Sequence, residues 1–341
     1  MEISVKQSNQ LKVLAIFMML GLHLFNINFE GNYTPVLFVG GQPLIFYVSY
    51  FFDICVPVFA FVSGYGLYSK YAKDRKSYPS ENKERLKKLY LNLWVIILIF
   101  PIITGSILQT PRMPGSMAEL LLNLTAIKVS YSPIWWYFTT YVLLVITSPF
   151  LFYVVAKYKT SLVFLVSLVV YCIAYYYRIF KTEIFTNELL HWLHAQGARY
   201  GLVQFEFLLG AFALHQKWNT KFTKFFDRLP NKQIFVFVLL IVLVFSRSLV
   251  PSMFVAPFCS LFFIALFNQI RIAKSIGKFL DFFSPHATNI WLVHSFFYLA
   301  FFREFILSAK YPLFIFVLLL ICSLISSYIV NFIYNKLIKL I

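Results

Sequence analysis

The sequence predicts an all-α, polytopic integral membrane protein with about ten transmembrane helices and both termini in the cytoplasm. Three observations predict it. Of 341 residues, 60% are hydrophobic and 20% are Phe, Trp or Tyr, while only 13% are charged, against about 25% in ordinary soluble domains. Surface-to-volume scaling leaves a soluble fold no means of burying so much apolar surface. That excludes a soluble enzyme, a disordered chain and a secreted disulfide scaffold. Apolar stretches near the crossing length of about 20 residues recur along the whole chain. The 30 Lys and Arg, against 13 Asp and Glu for a net charge of +17, sit in runs between those stretches. This placement points to topology and anionic lipid headgroups, with no nucleic-acid partner expected.

The candidate spans, in order, are 10–28, 44–68, 89–108, 133–155, 161–177, 200–216, 233–248, 250–270, 286–303 and 312–335. Pro251 allows 233–270 to be divided differently. The longest gaps, 109–132 and 178–199, hold about two dozen residues each. They leave no room for a separate soluble domain, so 1–341 reads as one transmembrane domain in the plasma membrane. The first apolar run lacks a small-residue cleavage site and reads as a retained span. With the N-terminus inside, 22 of the Lys and Arg fall on cytoplasmic segments and eight outside, which is the positive-inside pattern. Cys55, Cys172, Cys259 and Cys322 each fall in an apolar span without metal-ligand spacing. They read as packing residues, and no metal is expected.

Ionisable residues at bilayer depth are costly, so each is a functional candidate. His23 follows Lys12 by eleven residues. Eleven steps of about 100° return to the same helix face, about 16 Å further along. His294 in 286–303 and Asp53 in 44–68 come out near the same midplane depth, by a rise of about 1.5 Å per residue. A lone membrane histidine is commonly an interhelical hydrogen-bonder, and a lysine at a span edge commonly snorkels. Taken together, the groups suggest a polar cavity open to the cytoplasm. A histidine there is a natural general base towards a hydroxyl. Asp53 could orient an imidazole, as carboxylates do in hydrolase triads.

Three further features carry chemistry. Gly64 and Gly66, after Ser63, let either a helix or a ligand approach the backbone closely. Pro57 upstream predicts a kink. Arg85 and Lys88, three apart on one helix face, suit phosphates or anchor the topology. The loop 178–199 holds Glu183, Glu188, His191, Trp192, His194 and Arg199, which suit a sugar face or an interfacial helix. Glu206 either contacts an acceptor or pairs with Arg199.

In this order the motifs resemble the membrane acyltransferase-3 family, bacterial O-acyltransferases of polysaccharides, peptidoglycan and small molecules. That family opens with Arg, ten residues and His, which here are Lys12 and His23, with Lys in the place of Arg. Its aromatic run closing in Ser-Gly matches Phe59 to Gly64, and its basic pair matches Arg85 and Lys88. Its Trp-aromatic segment matches Ser132 to Tyr137, a Phe-rich segment matches Phe205 to Gly210, and the late His segment matches Ile290 to His294. The resemblance spans nearly the whole chain. It implies an acyl donor such as acetyl-CoA arriving from the cytoplasm, held by Arg85, Lys88, Ser63 and Gly64. It implies His23 as general base, with Lys12 holding the donor or steadying charge. His294, Asp53, Trp136 and Glu206 are then acceptor-site residues. The implied acceptor is a cell-surface polysaccharide or its lipid-linked precursor, reached directly or through a covalent acyl carrier. A secondary transporter or lipid-linked sugar flippase is the alternative from another class, although no inverted repeat is visible. Oligomeric state is left open by the sequence.

Overall fold

The computed structural model describes residues 2–110 and 112–340. In chain order it contains α1 (Val5–Phe25), a short hairpin of β1 (Phe38–Val39) and β2 (Gln42–Pro43), α2 (Leu44–Phe52), α3 (Cys55–Lys73) and α4 (Tyr78–Ile97). A π-helical stretch Leu98–Thr104 leads into α5 (Gly105–Ile107) and α6 (Met117–Leu124). Then come α7 (Trp136–Lys157), α8 (Thr160–Phe180), α9 (Glu188–His215), α10 (Trp218–Phe226), α11 (Lys232–Leu249), α12 (Ala256–Phe267) and α13 (Lys274–Phe283). The chain finishes with α14 (Ala287–Ser295), a second π turn Phe296–Ala300, α15 (Arg303–Leu307) and α16 (Pro312–Leu337). The all-α expectation holds, with one two-residue strand pair besides.

Seven helical stretches among the described residues are long and apolar enough to cross a membrane: Val5–Phe25, Leu44–Lys73, Tyr78–Ile107, Pro133–Lys157, Thr160–Phe180, Lys232–Leu249 and Pro312–Leu337. The remaining three expected spans take other forms. The stretch 200–216 lies in α9, which starts at Glu188 and carries Arg199 and Glu206. The stretch 250–270 becomes the shorter apolar helix Met253–Phe267, and 286–303 is interrupted by the π turn after Ser295.

Local sequence sets several boundaries. Helix α1 begins before its apolar run because Ser4 and Gln7 form a capping box. The Gln7 N–H donates to Ser4 Oγ (3.2 Å), and the Ser4 N–H to Gln7 Oε1 (3.0 Å). Asn187 caps α9 by accepting from the N–H groups of Leu189 and Leu190. Pro57 has no N–H for the Asp53 carbonyl four residues back, and the chain breaks there, between α2 and α3. Pro101 does the same within Leu98–Thr104, where the helix widens to π geometry. The hairpin turns at Gly40 and Gly41, both with positive φ, as a two-residue primed turn requires.

The chain divides into two compact units. The first comprises residues up to Met19, Tyr47–Pro79 and Leu143–Ser284; the second comprises Leu20–Phe46, Ser80–Val142 and Pro285 onward. In the first, α3 packs along α9, α9 also packs on α8, and α12 packs on α3 and α11. A Cβ at Gly64 would lie 1.8 Å from the Phe207 carbonyl oxygen, and one at Gly210 would lie 2.0 Å from that of Phe61. The two backbones therefore touch at two points. Phe61, Phe152, Phe205, Phe207 and Phe212 fill the surrounding core. In the second unit α14 packs on α16, and Phe100, Trp135 and Phe296 make an aromatic cluster beside α14.

Candidate functional site

The second unit joins the two histidines that the sequence singles out. His23 Nδ1 lies 3.0 Å from His294 Nε2. The ring planes differ by 10° with centroids 5.3 Å apart. Across a 3.0 Å N···N bond, that separation means the rings meet edge to edge in one plane, not face to face. His294 is fully buried. Its Nδ1 lies 2.7 Å from the Trp291 carbonyl and 3.1 Å from that of Ile290. A carbonyl only accepts, so Nδ1 of His294 carries the proton and donates. In the neutral ring its Nε2 is then an acceptor. His23 Nδ1 must supply the proton of the bond between them, which leaves Nε2 of His23 as a bare lone pair. The tautomers follow from this one backbone constraint. Tyr298 flanks both rings, 6.0 Å from His23 and 5.7 Å from His294, and nearly parallel to each. It lies in the π turn that follows His294.

The same unit carries the basic pair. Arg85 is half-buried on α4 and donates from Nη1 to Asn82 Oδ1 (2.6 Å), while Lys88 is exposed. Two turns past Arg85, Asn92 Nδ2 donates to Asn289 Oδ1 (2.7 Å). Asn289 Nδ2 donates to Asn331 Oδ1 (2.8 Å) and Ser327 Oγ (3.1 Å), and His286 Nδ1 meets the same hydroxyl (2.9 Å). These polar side chains tie α4 to α14 and α16. Of the adjacent Trp135 and Trp136, Trp135 is fully buried and donates from Nε1 to the Leu292 carbonyl (2.9 Å), bracing α14 two residues before His294. Trp136 is half-buried, edge-on to Tyr137.

The first unit holds the acidic candidates. Asp53, in the break before Pro57, accepts from Arg247 Nη2 at 2.8 Å. Among the described residues its partner is a guanidinium and not an imidazole. Arg247 is 2% exposed and also donates to the Val250 carbonyl. Glu206 is 6% exposed, and among the ion pairs of the described residues none joins it to Arg199. Instead it feels the charge of Asp53. Its Oε2 and the Nε of Arg247 are buried without a hydrogen-bond partner among the described residues. Ser63 and Gly64 are buried on α3, and the close approach at Gly64 is made by the backbone of α9. Lys12 also falls in this unit, on the part of α1 that Gln10 and Lys6 tie to Asp281. Because α1 is unbroken from Val5 to Phe25, the helical spacing to His23 stands.

Sequence reasoning passed over Arg247 and Tyr298. Arg247 reads as an ordinary flanking cation at the end of an apolar span, and only tertiary contact shows it facing an acid. Tyr298 stands four residues after His294, the spacing that brings side chains onto one helix face.

The acyltransferase-3 family model, described as an acyltransferase domain, matches residues 5–332. No curated protein and no solved structure matches the chain. A match over nearly the full length settles the assignment: the chain belongs to the acyltransferase-3 family and is a membrane acyltransferase.

Proposed function

We propose that the protein is an O-acetyltransferase of the plasma membrane. It moves an acetyl group from acetyl-CoA to a hydroxyl of a cell-surface polysaccharide or its lipid-linked precursor, with His23 as general base. The observation that carries this reading is the 3.0 Å bond between His23 and His294, with the Trp291 carbonyl behind it. That chain of bonds aims an unprotonated Nε2 of His23 at whatever hydroxyl reaches it. In the reaction, Nε2 takes the hydroxyl proton as the oxygen attacks the thioester carbonyl. The C–S bond breaks, and the proton passes on to the departing CoA sulfur. His294 stabilises the imidazolium that forms in between, as the orienting group does in hydrolase triads.

Arg85 and Lys88 supply the cationic surface for the donor's phosphates, Arg85 by the bidentate geometry a guanidinium allows. Trp136 offers an aromatic face to a sugar. Glu206 and Arg247 offer a bare acceptor and a bare donor beside Asp53.

The test uses purified protein in lipid nanodiscs with labelled acetyl-CoA and membrane-extracted glycans. His23→Ala is expected to lower transfer by about 10²–10⁴-fold, the usual contribution of general-base catalysis, with expression unchanged. His294→Ala is expected to lower kcat and leave the donor KM alone. Neutralising Arg85 and Lys88 together is expected to raise the donor KM. Full activity in His23→Ala overturns the mechanism, and an unchanged donor KM reduces the basic pair to an anchor.

A further inference from the structure

The first unit carries a second feature that the acyl-transfer reading does not use. Between α8 and α9 lies a cavity of about 310 Å³, lined by Val170, Ile173, Ala174, Tyr177, His194 and Gly197 among others. It is far larger than the share of one water, about 30 Å³, and its walls are largely apolar, so ordered water has few partners there. It opens on the face of α8 where Val170 and Ile173 are exposed together with Leu162, Leu165 and Val166. In a bilayer that face meets lipid.

Two arginines stand beside the lining residues in the chain without lining the groove themselves. Arg178 follows Tyr177, and Arg199 is two residues beyond Gly197. Their charges interact with each other, both side chains are half-buried, and no carboxylate pairs with either among the described residues. The Nε of Arg199 is buried without a hydrogen-bond partner, and so are both ring nitrogens of His194. Like charges held together beside a membrane-spanning helix call for an anion. A guanidinium pair matches the oxygens of a phosphodiester.

We propose that this groove binds one anionic phospholipid, its phosphodiester on Arg178 and Arg199 and an acyl chain along Ala174, Gly197 and Tyr177. The lipid supplies the missing counter-charge and fills the apolar space. This inference does not depend on the acyl-transfer reading.

Gly197 provides a clean probe. A Cβ there would meet no atom within 4 Å, so Gly197→Leu fills the groove without disturbing the helices or the arginines. The experiment is native mass spectrometry of the full chain after equilibration in vesicles of phosphatidylcholine with one-fifth phosphatidylglycerol. Wild type is expected to retain one phosphatidylglycerol per chain in preference to phosphatidylcholine. Arg178→Gln/Arg199→Gln and, separately, Gly197→Leu are each expected to reduce that retention at least tenfold. Equal retention of the two lipids by wild type overturns the proposal, as does undiminished phosphatidylglycerol in Gly197→Leu or in the double variant. A polyprenyl phosphate that displaces phosphatidylglycerol at equal mole fraction overturns the phospholipid assignment.

Discussion

Asp53 takes its counter-charge from Arg247, 194 residues further along the chain. Two charges removed from water attract strongly only while both are present, and either one alone is a large penalty. Asp53→Ala and Arg247→Ala are each expected to lower stability by about 3–5 kcal/mol, the usual range for breaking a buried pair. Thermal unfolding in detergent measures it. Replacing both together, Asp53→Leu with Arg247→Met, is expected to recover most of the loss. Asp53 also marks a limit of sequence reading. Its depth follows from helical rise alone, and so does that of His23 and His294. That the two histidines meet, whereas the acid meets an arginine instead, depends on which helices pack together. No periodicity encodes that. The family motifs narrowed the choice for the histidines but carried no signal for Arg247.

At the scale of elements, Gly64 and Gly66 look equivalent in sequence, two small residues on one helix. They are not equivalent in space. A methyl at Gly64 would overlap the Phe207 carbonyl at 1.8 Å, whereas at Gly66 nothing lies within 4 Å. Gly64→Ala is expected to cost stability by about 1–3 kcal/mol or more, as overpacking does, while Gly66→Ala is neutral or slightly stabilising because alanine favours a helix. Comparing the two melting temperatures tests it. The start of α1 depends on acid. The Lys6 ammonium, 3.0 Å from Asp281, and the Gln10 amide hold the Asp281 carboxyl below the usual carboxylate range. A lowered folded-state pKa contributes stability that is fully present above the ordinary carboxylate value and is lost as pH falls through the lowered one. Amide exchange over residues 5–10, corrected for intrinsic rate, is therefore expected to speed up on acidification, and Asp281→Asn is expected to remove most of that pH dependence. Helix identities were readable from apolar runs. Edges such as Val5 and Glu188 were less so, because Ser4 and Asn187 set them by capping, outside the apolar pattern.

For the whole molecule, charge is the most legible property. With 22 of 30 cations on one set of segments, a fluorescent protein fused to either terminus is expected to fold in the cytoplasm and fluoresce, and a periplasmic alkaline phosphatase at the same positions is expected to stay inactive. Opposite signals at the two ends would require an odd number of crossings. The span count was harder to read, because α9 is long but polar, Met253–Phe267 is short, and a π turn interrupts the stretch after Ser295. The double contact between Gly64 and the Phe207 carbonyl, and between Gly210 and that of Phe61, has a mechanical consequence. Shear of α3 along α9 by one turn would carry the side chain of Ala60 or Tyr68 towards the Phe207 carbonyl that Gly64 now meets, so this pair resists sliding. The interruption at Asp53, just ahead of this locked pair, is itself held by Arg247, so the entry into α3 is fixed twice, once by charge and once by backbone contact.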